Sequence, residues 1–136
     1  ASRARARWWG MPERPIAAGD WSADFGYDFA ISLQRRPDYT AIFAANDQVA
    51  LGLIHGLHDR GIRVPEDLSI VGFDDAAFSR HSIPPLTTVR QPFDALGSAV
   101  VDVLLPAIEG RAIPQRTKIP PELIVRLSTA KARGAS

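Results

Sequence analysis

The chain has 136 residues, 46% of them hydrophobic, no cysteine, and 16 basic against 15 acidic side chains for a net charge of +1. That is enough apolar material for one core of ordinary domain size, and it argues against disorder as the main state. The balanced charge gives nucleic acid no footprint on this chain, the lack of cysteine rules out disulfides and thiolate metal sites, and no apolar run approaches the roughly 18 residues of a membrane span.

The opening stretch is basic, with Arg3, Arg5 and Arg7 ahead of Trp8 and Trp9. It has no apolar h-region and does not read as a secretory signal. The chain starts at Ala1 rather than at a methionine, so it is expected to be a piece of a longer protein. Residues 15–18 are a short strand candidate. Ser22 can cap a helix running to about Gln34, with Phe25, Phe29, Ala30 and Leu33 on one side. Arg36-Pro37-Asp38 breaks it.

Residues 41–75 form the most regular part. AIFAA has strand length, and either Asn46 or Asp47 can cap the helix that follows. Val49, Ala50, Leu53, Ile54 and Leu57 recur at helical spacing, and Gly61 supplies a left-handed stop. Val64-Pro65-Glu66-Asp67 makes a turn into LSIVGF, a second strand of buried type. This is a βαβ unit with a right-handed crossover. Its strands end in Asn46-Asp47 and Asp74-Asp75. Ligands of open parallel sheets bind beyond such carboxyl ends. The expected fold is α/β: an open, mainly parallel sheet with helices on both faces.

Beyond Asp75 the pattern weakens. Residues 76–83 are mixed and Pro84-Pro85 stops any helix. Residues 86–90 are β-rich. Asp94 can cap a helix over residues 95–109, with Leu96, Val100, Val103 and Leu104 inward, Pro106 kinking or shortening it, and Gly110 ending it. Residues 118–127 read as a last, edge-type strand, and residues 128–136 as a loose polar tail.

Three polar or aromatic groups at the strand ends carry the chemistry. The Trp21 indole can stack on the apolar face of a pyranose ring, though it also fits a partly buried core position. Asn46 offers donor and acceptor to vicinal hydroxyls, or else caps its helix; the expectation is that Asp47 is structural and Asn46 faces ligand. Asp74 can accept two hydroxyl hydrogen bonds, or else Asp74-Asp75 is only a turn. His55 and His58, spaced i, i+3, could contribute to a metal site only with further ligands, so no metal or other cofactor is expected. There is no nucleophile with a base and no glycine-rich phosphate loop, so no enzyme is expected. The acid pair also fits a receiver-type phosphotransfer site, but the matching lysine after a later strand is missing.

The strings AIFAANDQVALGLIHGLHDRGIRVPEDLSIVGFDD, IPPLTTVRQPFDALG and PPELIVRLST, with GDWSADFGY before them, closely resemble the effector-binding domain of the lac-repressor (LacI/GalR) family of bacterial transcription regulators. The resemblance covers nearly the whole chain. It implies the carboxyl-terminal lobe of a two-lobed, periplasmic-binding-protein-like sensor. Residues 91–117 then correspond to a crossover into the other lobe, and the helix from Asp94 needs a different packing surface here. The first lobe and the DNA-reading headpiece lie outside this chain, and DNA would be reached only through that headpiece. The string SRARARWW resembles a worn Ser-x-x-Arg-Leu-x-Gly segment of the family, and the chain is shorter than the family between Trp9 and Gly19.

Carried over residue by residue, the resemblance implies effector contacts from Trp21, Asn46, Asp74, Gln91, Arg5 and Phe93, with Asp75 fixing the loop. It implies a sugar or related small polar effector, a cytoplasmic homodimer without membrane attachment, and a dimer surface of Ala50, Leu51, Ile54, His55, Phe78, His81 and Ile83. A periplasmic sugar-binding protein of a transporter shares the fold and is the alternative.

Overall fold

The computed structural model describes residues 16–33, 37–112 and 118–132. In chain order these hold α1 (Ala23–Ser32), β1 (Ala41–Phe43), α2 (Asp47–Asp59), β2 (Ser69–Asp74), β3 (Thr87–Arg90), α3 (Phe93–Ile108) and β4 (Glu122–Ile124). The sheet order is β1-β2-β3-β4. β1, β2 and β3 run parallel, and β4 joins β3 antiparallel at one edge. The open, mainly parallel sheet is the expected one.

The two capped helices begin where their sequence says they should. Ser22 accepts the N–H of Phe25 at 3.0 Å at the start of α1, and Asn46 accepts that of Val49 at 2.7 Å at the start of α2. Each cap satisfies a backbone donor that the helix itself cannot. Gly61, at φ +69°, ends α2.

The helices α1 and α2 pack against each other, and α2 packs on β2. They approach at backbone distance. A Cβ on Gly26 would lie 2.2 Å from the Val49 carbonyl oxygen, and one on Gly52 would lie 1.8 Å from that of Ala23. Under this pair is the core, built from Ala30, Leu53, Leu57, Leu68, Ile70 and Leu86, each no more than 2% exposed. Among the described residues this helical layer covers one face of the sheet. The other face keeps Phe43 63% exposed, edge-on to Phe73 at 6.3 Å between ring centroids.

Several expectations give way to the fold. Residues 16–18 are exposed and form no strand, and Pro15 lies outside the described residues. The N-cap of α3 is Pro92 without a side-chain bond, while Asp94 falls in the first turn, where its charge favours the helix dipole. Pro106 lies inside α3 without ending it. Leu96, Val100 and Leu104 are 44–53% exposed rather than buried.

The tail is not loose at its start. Ser128 is fully buried between β2 and β3: its Oγ donates to the Ile70 carbonyl at 2.6 Å and accepts the Thr87 N–H at 2.8 Å. Its carbonyl accepts the Ile70 N–H at 2.8 Å. A hydroxyl and a backbone carbonyl thus satisfy polar groups that would otherwise be buried without partners. Residues 133–136 lie outside the described residues.

Gly52→Ala should force α1 away from α2 and lower unfolding stability by about 2–3 kcal/mol, the scale of overpacking in a close-packed core. Urea denaturation of the two proteins gives the difference. A midpoint unchanged by the substitution would mean that the helices are not in backbone contact.

Candidate functional site

Because β1, β2 and β3 are parallel, their carboxyl ends deliver side chains to a single edge. β1 leads through Ala44 and Ala45 to Asn46. β2 ends at Asp74, which is in register with Arg90 at the end of β3. Gln91 follows, and its Nε2 donates to Asp74 Oδ1 at 3.0 Å. Trp21, just before α1, joins the same edge because the Asn46 Nδ2 donates to its carbonyl oxygen at 2.9 Å. The structure therefore brings Trp21, Asn46, Asp74 and Gln91 to one rim.

Three residues of this rim have left-handed backbones: Trp21 at φ 70°, Asp74 at φ 113° and Asp75 at φ 56°. Such conformations cost energy in residues other than glycine and persist where surrounding bonds over-determine them. The bonds that do so at 74–75 are clear. The Asp75 side chain is only 5% exposed and takes Arg126 Nη2 at 2.5 Å and Arg90 Nε at 2.7 Å. Arg126 also donates to the Leu86 carbonyl at 2.8 Å, so the clamp is tied to the sheet. Burial by itself raises the Asp75 pKa; hydrogen bonds and charge from Arg126 and Arg90 outweigh it and hold the carboxyl below the usual aspartate value.

A second carboxylate supports the rim from beneath. Asp47 is 1% exposed. Its Oδ1 accepts the Thr88 hydroxyl at 2.6 Å, and its Oδ2 accepts the Ala76 N–H at 2.7 Å and the Ser79 hydroxyl. Gly72 makes room for it, since a Cβ there would meet Asp47 Oδ1 at 2.2 Å. A structural role for Asp47 is the expected one, but its partners are not legible in the sequence. The only signal was an acid beside a cap residue, and its three partners are 29 to 41 positions away.

The predicted residues fare unequally. Trp21 is 62% exposed and Phe93 55% exposed, so neither is a core aromatic. Asn46 is the helix cap: its amide oxygen is engaged by Val49 and its nitrogen by the Trp21 carbonyl. That corrects its reading as a group with both ends free for ligand. Arg5 lies outside the described residues. Of the expected dimer surface, Ala50 and Ile54 are 0% and 6% exposed and belong to the core, a correction that follows from the apolar stripe of α2 facing β2. Leu51 and His55 instead line a groove between α1 and α2, with Ala23, Asp24, Tyr27 and Gly52. Tyr27 donates to Asp59 Oδ2 at 2.9 Å, a bond that raises its pKa, and its ring lies 5.0 Å from that of His55. This groove is on the helical layer. In the turn after β2, Phe78 is half-buried, His81 exposed and Ile83 91% exposed. Among the described residues no group of three or more His, Cys, Asp or Glu side chains could hold a metal ion. No helix of the described residues is long and apolar enough to cross a membrane.

The periplasmic binding protein-like domain family matches residues 2–129. The chain belongs to that family. Within it, the chain is 40% identical over 119 residues to the lactose operon repressor of Escherichia coli K12, covering 85% of this chain and 33% of the relative. It is 47% identical over 98 residues to the HTH-type transcriptional regulator MalR of Streptomyces coelicolor, covering 71% of this chain and 28% of that protein. Among solved structures, the lac repressor dimer bound to operator and the anti-inducer ONPF superposes with a TM-score of 0.82 at 38% identity, covering 93% of this chain and 44% of that one. The complex of the transcriptional regulator CelR with cellobiose gives 0.83 at 35% identity, covering 93% and 40%. These relatives and neighbours are lac-repressor-like regulators, and by name they are not enzymes. The chain spans about a third of the length of the curated relatives it matches.

Asp47→Ala leaves the Thr88 and Ser79 hydroxyls and the Ala76 N–H without their acceptor, and should cost about 3–5 kcal/mol in chemical denaturation. A loss below 1 kcal/mol would show that this carboxylate holds little. Asp75 makes a separate prediction. A carboxyl with a depressed folded pKa contributes stability that is fully present above the unfolded value of ~3.9 and disappears as pH falls through the folded one. Asp75→Asn should therefore lower stability at neutral pH and flatten its decline on the acid side of about pH 4. Thermal melts of both proteins from neutral pH down to pH 2.5 measure this; parallel curves would remove the ion clamp as a contributor.

Proposed function

We propose that this chain is the carboxyl-terminal part of the effector-sensing domain of a LacI-type transcriptional regulator, binding a sugar or related small polar ligand at the strand-end rim. The observation that supports the reading is that an exposed indole, Trp21, tied to Asn46 after β1, lies on the same edge of the parallel sheet as the Asp74–Gln91 pair after β2 and β3. An indole face suits the apolar side of a pyranose, and a carboxylate accepts strong hydrogen bonds from ring hydroxyls. Asn46 acts here through the backbone of Trp21 rather than by direct contact. Phe93 and Arg5 complete the proposed contacts.

In this reading residues 91–117 are the crossover toward a second lobe. Ligand held between two lobes shifts their relative population of open and closed arrangements. That shift alters the geometry of a homodimer, and with it DNA binding by headpieces outside this chain. Leu51, His55, His81 and Ile83 are the exposed candidates for the dimer surface, with half-buried Phe78 among them. The role is non-enzymatic and cytoplasmic, as for a DNA-binding regulator. The names of the relatives support this class over a transporter's solute-binding protein.

Calorimetric titration of the parent protein with cellobiose, lactose and a panel of monosaccharides tests the site. Trp21→Ala and Asp74→Ala should each weaken the best sugar at least tenfold, about 1.4 kcal/mol. Asn46→Ala should cost about 1 kcal/mol of stability, as a lost cap does, with a smaller effect on affinity. Affinity untouched by both Trp21→Ala and Asp74→Ala would place the ligand elsewhere.

A further inference from the structure

We propose that Arg90 is a positioning residue of the rim: its guanidinium fixes the direction of the Asp74 carboxylate from the junction where the chain leaves the sheet and re-enters it. That Asp74 meets a ligand rests on the sensor reading above; the positioning itself does not. Arg90 is the last residue of β3 and Glu122 the first of β4, and the two are partners in the antiparallel ladder. On its other side Arg90 is in register with Asp74 at the end of β2. It therefore stands between the rim and both ends of the excursion through residues 91–121.

Two consecutive residues at the end of β3 hold two consecutive acids at the end of β2. Arg90 Nε donates to Asp75 Oδ2 at 2.7 Å, and Gln91 Nε2 donates to Asp74 Oδ1 at 3.0 Å. The same guanidinium brings its Nη1 within 3.6 Å of Glu122 Oε2, so one side chain links the turn after β2 to the start of β4. A planar fork can serve two carboxylates at once, whereas an ammonium is a single point of charge. The clamp on Asp75 has a fixed half and an adjustable half. Arg126, its side chain 14% exposed, also donates to the Leu86 carbonyl and is anchored in the sheet. Arg90 is 46% exposed and its partner Glu122 is 68% exposed; an ion pair so open to water is weak and parts at small cost. Asp74 and Asp75 hold φ of 113° and 56°, conformations that persist only under restraint. Without Arg90 the Asp75 carboxylate keeps Arg126, and the turn is free to rock about that one cation. A shift of the junction moves Arg90 and Gln91 together, and both acids follow.

The Asp75 N–H donates to the Thr88 hydroxyl at 3.4 Å and reports on the turn; the Ile70 N–H, bonded to the Ser128 carbonyl at 2.8 Å, reports on the core. Amide exchange followed by NMR on the 136-residue chain compares wild type, Arg90→Lys and Glu122→Gln. Arg90→Lys should speed exchange at Asp75 about tenfold while Ile70 changes less than about twofold, because local opening is separable from global unfolding. Glu122→Gln should act in the same direction by about threefold, since it removes only the exposed arm of the bridge. In the parent protein Arg90→Lys should weaken the best sugar about fivefold, and should add nothing in an Asp75→Asn background, as expected of residues that act through one another. Asp75 exchange unchanged by Arg90→Lys overturns the proposal, and so does a rise shared equally by Ile70, which would reduce Arg90 to a contributor to stability. A loss of sugar affinity of full size in the Asp75→Asn background overturns it as well. A parent that binds none of the sugars defeats the sensor reading instead, and the exchange rates then decide the positioning by themselves.

Discussion

A single buried carboxylate holds three parts of this fold in register. Asp47 begins α2, where a negative charge is favoured by the helix dipole. It reaches under the sheet's carboxyl edge to the hydroxyl of Thr88 in β3 and to Ala76 and Ser79 in the loop after β2. An uncompensated charge in such a place would be costly, but two hydroxyls and a backbone N–H engage both oxygens. Gly72 is the matching concession in β2, since any side chain there would strike the carboxylate. The edge on which the proposed ligand residues meet is fixed by this arrangement before any ligand arrives.

Above that support, the rim stores strain and restrains it. Asp74 and Asp75 both adopt backbones that L-residues rarely hold. Two guanidiniums on Asp75 keep the turn in place, and Arg90 reaches on to Glu122 in β4 at 3.6 Å. The two neighbouring acids thus divide their work. Asp75 is enclosed by cations, while Asp74 accepts the side-chain amide of Gln91. Rigid support beneath a partly open carboxylate is what a binding site for hydroxyl groups requires, because little ordering remains to be done on binding.

The helical layer and α3 show opposite solutions to the same constraint. α1 and α2 bury their apolar stripes at glycine distance over β2, and the core concentrates there. α3 is more apolar in sequence, yet every large side chain on its ridge stays about half exposed or more. A helix of that composition implies a cover. Nothing in its periodicity says whether the cover is the chain's own sheet or another polypeptide.

Sequence by itself determined what local chemistry controls. The cap at Ser22, the presence of a cap at Asn46 or Asp47, the stop at Gly61, the turn at residues 64–67 and the βαβ unit all follow from residue type and spacing, because each is signalled within a few positions. The parallel order then implies that Asn46 and Asp74 share an edge, whereas Trp21, with no strand before it among the described residues, is held there by the Asn46 amide. Tertiary structure alone decided the rest. Whether Ala50 and Ile54 face solvent or core depends on which side of α2 meets the sheet, and both face the core. Whether Asn46 is free depends on the Trp21 carbonyl 25 residues away. The partners of Asp47, Asp75 and Ser128 are separated by up to 58 positions, and a polar residue in sequence does not name its partner across such distances. Exposure of α3 was likewise beyond reach, since a hydrophobic pattern records the need for burial and not the surface that supplies it.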